Sequence, residues 1–118
     1  MPDNTAKPVV QFTPEFKRNL RALAKKYRHI RDDVAPVIAE LQTGALPGDQ
    51  VPGIGYTIFK VRVPNRDRAK GKSGGYRIMY YLKSTTDIIL VTIYSKTEQA
   101  DISTTQIRRI VGEFQQES

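Results

Sequence analysis

Three runs decide the fold: Ile58-Phe59-Lys60-Val61-Arg62-Val63, then Tyr76-Arg77-Ile78-Met79-Tyr80-Tyr81-Leu82, then Ile88-Ile89-Leu90-Val91-Thr92-Ile93-Tyr94. The first alternates with a period of two, as a strand does. It sends Phe59, Val61 and Val63 to one face and Ile58, Lys60 and Arg62 to the other. The second, from about Gly75 to Leu82, sets Ile78, Tyr80 and Leu82 opposite Arg77, Met79 and Tyr81. Ser84 to Asp87 reads as a short turn, so the second and third runs form a hairpin. The third run is apolar on both faces, which is how a central strand covered on both sides reads, or one that completes a curved sheet.

Upstream, residues 44–55 hold four glycines and two prolines and read as a loop. Before them lie two helical patterns. Thr13-Pro14 is a start signal, with threonine as N-cap and proline at the first helical position. Phe16, Leu20, Leu23, Ala24 and Tyr27 then recur at helical spacing. Ile30 to Asp33 reads as a tight turn, with Asp33 capping a second helix whose apolar face is Val34, Val37, Ile38 and Leu41. Pro36 favours that cap, because it would place the proline in the first turn. The short connection predicts a helical hairpin. Val9 to Phe12 suits a strand, and the residues before it, 1–8, read as a frayed end. Downstream, Ser103-Thr104-Thr105-Gln106 has capping-box spacing before the stripe Ile107, Ile110, Val111 and Phe114. The chain reads β-α-α-β-β-β-α, a single α+β domain over residues 1–118.

The formal charge is +7, concentrated in two places. Residues 14–31 carry Lys17, Arg18, Arg21, Lys25, Lys26, Arg28 and Arg31 against Glu15, a net +6. Residues 60–77 carry Lys60, Arg62, Arg66, Arg68, Lys70, Lys72 and Arg77 against Asp67, again +6, so the other 82 residues sum to −5. Two basic segments in an acidic remainder form a directed footprint for a polyanion, with RNA the leading candidate. Lys60 and Arg62 share a face; Arg77 follows Gly74-Gly75, where missing side chains permit a sharp turn or a close phosphate. If the strands pair, all three cations converge, and Lys96 reaches the same edge. Tyr76, Tyr80, Tyr81 and Tyr94 surround the region, where one or two could stack on unpaired bases and Tyr80 is expected in the core.

Exclusions narrow the chemistry. The chain has no cysteine and one histidine, His29, so disulfides, thiolate nucleophiles, histidine metal clusters and Ser-His-Asp triads are ruled out. The carboxylates are scattered rather than clustered as a two-metal nuclease needs. Gly71-Lys72-Ser73 lacks the preceding glycine and following helix of a phosphate-binding loop, since Arg66 stands where the glycine belongs. Nothing implies a cofactor. No apolar run is long enough to span a membrane and Met1 to Pro8 has no apolar signal core, so a cytoplasmic location is expected. RNA carries its own nucleophile in the 2′-OH. Arginine and lysine can stabilise the charge of the phosphorane, and a lysine crowded by other cations could shuttle a proton. Composition alone fits binding without cleavage equally well.

The segments Phe59-Lys60-Val61-Arg62, Gly71-Lys72-Ser73-Gly74-Gly75-Tyr76-Arg77-Ile78-Met79-Tyr80-Tyr81 and Ile93-Tyr94-Ser95-Lys96-Thr97-Glu98 resemble the RelE/ParE superfamily of bacterial toxins, and within it the RelE/HigB-like branch of messenger-RNA interferases. The resemblance implies a RelE-like fold, with a curved, mainly antiparallel sheet packed against an N-terminal helical hairpin and a C-terminal helix. It implies a ribosome-dependent endoribonuclease acting on mRNA and touching ribosomal RNA. It also implies a cognate antitoxin that inhibits the toxin and binds operator DNA. Lys60, Arg62, Arg77 and Lys96 carry over as catalytic candidates. Arg18, Arg21, Lys25, Arg28, Arg66, Arg68, Lys70, Lys72, Tyr76 and Tyr94 are the RNA- or ribosome-binding candidates. The chain departs from the best-known branch at Thr97, where that branch has a second basic residue, and at Ser103, where it has a tyrosine; Tyr94 and Tyr76 are the candidate substitutes. The gyrase-inhibiting ParE branch and a non-catalytic RNA-binding module are the rival readings.

Overall fold

Thr13 joins the first strand to the first helix. Its hydroxyl accepts the Phe16 N–H at 3.0 Å and donates to the Val91 carbonyl at 2.8 Å. One buried side chain therefore caps a helix and ties it to the sheet, a cap worth about 1 kcal/mol. In this computed structural model, which describes residues 7–65, 75–99 and 101–117, the elements are β1 (Val9–Phe12), α1 (Pro14–Ala24), α2 (Ile30–Gln42), β2 (Asp49–Val51), β3 (Ile58–Val63), β4 (Tyr76–Ser84), β5 (Asp87–Ser95) and α3 (Thr104–Glu117). All but the last two of residues 1–8, expected to fray, lie outside the described part.

The strands form one mixed sheet in the order β1-β5-β4-β3-β2. β1 runs parallel to β5, and the remaining neighbours are antiparallel. The helical hairpin covers one face, where Phe16, Leu23, Ile30, Val34, Val37 and Leu41 pack on Val61, Val63, Tyr76, Ile78, Tyr80, Ile88, Leu90 and Ile93. α3 covers the other, where Ile107, Ile110 and Val111 meet Ile54, Ile58, Met79, Val91 and Tyr94. The alternation expected for β3 and β4 is borne out, and the doubly apolar β5 is an interior strand covered on both faces. Burying a side chain such as Phe16 or Leu41, both fully enclosed, stabilises the fold by roughly 1.5–3 kcal/mol each.

Two local expectations are corrected. The segment 44–55 is not all loop: Asp49–Val51 pairs with Lys60, Phe59 and Ile58 as a short edge strand. Gly48, at φ +92°, lies so close to the Lys60 carbonyl that a Cβ would collide with it. The observed order is therefore β-α-α-β-β-β-β-α. The second helix starts at Ile30 with His29 at the cap position and no side-chain cap bond, which leaves Pro36 in the helix interior. Buried Ile30, Val34, Val37 and Leu41 form a stripe one turn longer than expected, and that apolar burial outweighs the lost proline hydrogen bond. α3 starts as expected, with the Gln106 N–H bonded to the Ser103 hydroxyl at 3.1 Å.

Candidate nucleic-acid interface and active site

The ladder between β3 and β4 aligns Lys60 with Met79, Val61 with Ile78 and Arg62 with Arg77. The next ladder aligns Arg77 with Tyr94. Directly paired residues share a face, so Arg62, Arg77 and Tyr94 form a row across three strands, with Lys60 two residues along from Arg62. This is the face that α3 covers with its apolar cluster; Lys60 lies level with Met79 of that cluster, and the two arginines occupy the next row. Arg62 is exposed, whereas Arg77 is only 9% exposed and its Nη1 donates to the Tyr76 carbonyl at 3.2 Å. Lys96 follows β5, and its backbone N–H donates to the Gly75 carbonyl at 2.9 Å, which fixes it beside the start of β4. Gly75 takes φ +59°, and a Cβ there would strike the Val63 carbonyl. That glycine permits the close approach that seats Arg77 next to Arg62.

A carboxylate completes the cluster. Asp101 Oδ1 accepts the Tyr94 hydroxyl at 3.0 Å and its neighbour's N–H, from Ile102, at 2.9 Å, while Lys60 Nζ lies 3.7 Å away. The Ile102 N–H is the main cause holding the Asp101 carboxyl below its ordinary range, with the Tyr94 hydroxyl and the charges of Lys60 and Lys96 adding to it. Tyr94 moves the other way: burial first, then Asp101, push its hydroxyl up to about 12, against the opposing charge of Arg77. Three strands and the lead-in to α3 thus meet in one polar network.

The structure brings Lys60, Arg62, Arg77 and Lys96 to one region, as the strand pattern anticipates. It corrects the expectation of base stacking at Tyr76 and Tyr94. Tyr76 is fully buried on the hairpin side, edge-on to Tyr27 at 5.6 Å, and Tyr94 is 4% exposed, so neither ring offers a face to a base. Tyr80 is a core residue, with its hydroxyl donating to the Pro47 carbonyl at 2.5 Å and burial raising its pKa. Arg18, Arg21, Lys25 and Arg28 are all exposed, and Arg18 pairs with Glu15. α1 ends at Ala24, which leaves Lys25 and Arg28 in the connection to α2. That connection is tied to the turn after Lys96: Glu98 accepts from Lys26 Nζ at 2.6 Å and from the Tyr27 hydroxyl at 3.2 Å. The ammonium of Lys26, first through that hydrogen bond, holds the Glu98 carboxyl low. Arg66, Arg68, Lys70 and Lys72 lie outside the described residues.

Asp101 and Glu98 are the participants that sequence reasoning missed. The available signal was a lone acid two residues before the Ser103 cap, in a segment otherwise without charge from Gln99 to Ile107. Among the described residues, no group of three or more histidine, cysteine or acidic side chains could hold a metal ion, and no helix is long and apolar enough to cross a membrane.

Comparison with known proteins gives this arrangement a family. The family model described as the RelE toxin of the RelE / RelB toxin–antitoxin system matches residues 15–112. Among solved structures, the E. coli toxin RelE, a mutant in the free state, superposes with a TM-score of 0.54 at 12% identity, over 87% of this chain and 95% of that one. A weaker likeness, to TrmO from Pseudomonas aeruginosa, has a TM-score of 0.46 at 13% identity and covers 80% of this chain and 40% of that one, too distant to support an inference. The family match spans most of the chain and the fold agrees with it: the protein belongs to the RelE/ParE superfamily of toxin–antitoxin toxins.

Proposed function

We propose that the protein is a ribosome-dependent endoribonuclease of the RelE/HigB-like branch, which cuts messenger RNA through attack of the RNA's own 2′-OH and is neutralised by a cognate antitoxin. The observation that carries this reading is Arg62 opposite Arg77, with Lys60 on the same sheet face and Lys96 held beside the start of β4. A phosphodiester that reaches a pentacovalent state gains negative charge on its non-bridging oxygens, and fixed guanidinium groups stabilise that charge more than the ground state. Arg62 and Arg77 clamp the phosphate; Lys60 and Lys96 neutralise charge and move protons. The exposed cations Arg18, Arg21, Lys25 and Arg28 contact ribosomal RNA away from the chemistry. Operator DNA is reached through the antitoxin, and the site of action is the cytoplasm, where ribosomes translate.

A purified translation reaction with a defined messenger and mapped 5′ ends tests the reading. Wild-type protein should cut within the ribosomal decoding site, and Arg77→Ala should lose turnover far more than ribosome affinity. Ribosome binding without cleavage at any concentration would reduce the protein to a binding module. DNA breakage in a gyrase reaction, with intact messenger, would move it to the ParE branch.

A further inference from the structure

Asp101 is anchored more firmly than an exposed surface acid needs to be. Its Oδ1 takes the Tyr94 hydroxyl from β5 and the Ile102 N–H from its own backbone, and faces Lys60 of β3. Its carbonyl accepts from Gln99 Nε2 at 2.9 Å, which fixes the backbone as well. Yet its side chain is 61% exposed, and Oδ2 has no hydrogen bond among the described residues. Oδ1 is held while the side chain stays largely open to solvent, beside a cluster of cations. A carboxylate in such a place weakens phosphate binding by repulsion, so a purely electrostatic site would omit it.

We propose that Asp101 is the proton acceptor of the cleavage reaction, an assignment that rests on the ribonuclease reading above. Oδ2 takes the proton of the 2′-OH as the 2′-oxygen forms its bond to phosphorus. The phosphorus–5′-oxygen bond then breaks, the departing oxygen takes a proton from the Lys60 ammonium, and the products are a 2′,3′-cyclic phosphate and a 5′-hydroxyl. The proton on Asp101 passes to the neutral Lys60 amine beside it, which restores both groups. Tyr94 is a positioning residue: its hydroxyl proton is committed to Oδ1 and turns Oδ2 outwards. This fills the proton-transfer role left vacant at Thr97 and Ser103 with a carboxylate from the lead-in to α3.

Single-turnover cleavage on saturating ribosomes tests the assignment. Asp101→Asn should slow cleavage by about 100-fold or more, the usual range for loss of a general base, with ribosome affinity within about threefold of wild type. Formate or acetate should restore at least about tenfold of the lost rate to Asp101→Ala, by supplying the missing base, and should do nothing for Arg77→Ala. Cleavage by Asp101→Asn at close to the wild-type rate overturns the assignment. So does a slow Asp101→Ala protein that no small carboxylate rescues, because a structural role predicts that result. Absence of cleavage by the wild type, with ribosomes bound, overturns the ribonuclease reading and the assignment with it, an outcome distinct from the other two.

Discussion

Arg62 and Arg77 face each other directly across the antiparallel ladder of β3 and β4. Like charges in that relationship oppose folding, and the pair is retained beside an apolar sheet that could have accepted a neutral residue. Replacing the exposed partner should therefore separate stability from activity. Arg62→Gln should raise unfolding stability by up to about 1 kcal/mol, measured by urea denaturation, with the gain shrinking as salt screens the repulsion. Ribosome-dependent cleavage should fall about 100-fold, the scale for removing one transition-state donor. A variant that is both less stable and fully active would refute the trade-off.

Gly75 should be intolerant of any side chain. Its φ of +59° and the blocked space near the Val63 carbonyl predict that Gly75→Ala costs about 1–2 kcal/mol or more and displaces Arg77. Gly112 gives the opposite sign. It lies inside α3 with open space around it, so Gly112→Ala should stabilise by about 0.5–1 kcal/mol through helix propensity. Thermal melts of the two variants, run side by side, read both predictions.

Alkaline pH should unfold the protein through its tyrosines. In the unfolded chain a tyrosine ionises near 10.0, whereas burial holds Tyr94 protonated up to about 12. Below pH 10 that contribution is complete, and it is lost as pH rises through the folded value, because the unfolded state binds fewer protons there. Urea midpoints should fall between pH 10 and 12, and Tyr94→Phe should flatten part of the slope, with raised Tyr80 supplying another part. Asp101 and Glu98 run in the acid direction. Their lowered pKa values stabilise the fold above the ordinary carboxylate range, a contribution lost as pH falls through the folded values.

Lys25 should act by charge alone. It is exposed just past the end of α1, so Lys25→Ala should weaken ribosome binding and leave single-turnover cleavage of bound messenger unchanged. The slope of log affinity against log salt should drop by about one phosphate contact. An unchanged slope would remove Lys25 from the interface.

Periodicity made β3 and β4 legible, because one face of each strand had to be apolar and the neighbouring cations could then lie only on the other; β5 was legible as a run apolar on both faces. The same logic failed for β2, three residues between glycines, whose existence depends on pairing with Lys60 and Phe59 rather than on any pattern of its own. It misplaced the start of α2 because Pro36 was weighed by local cost, whereas Ile30 pays for the extra turn in the core. Tyr76 and Tyr94 looked like stacking platforms beside basic residues; alternation alone could not say that helices close over both faces of the sheet. Asp101 was out of reach for another reason. Its partners lie 7 and 41 positions away in sequence, and a hydrogen bond between distant side chains leaves no periodic trace.

The parallel pairing of β1 with β5 also has a meaning in time. A ribosome delivers residues 9–12 well before their partners, 87–90. Contacts so far apart in sequence form late and slowly. A chain interrupted before Ser95 holds Lys60, Arg62 and Arg77, but lacks the completed strand beside β4 and both Lys96 and Asp101. The cluster of Lys60, Arg62, Arg77, Lys96 and Asp101 therefore exists only once the chain has been made through residue 101, and no shorter nascent segment carries it.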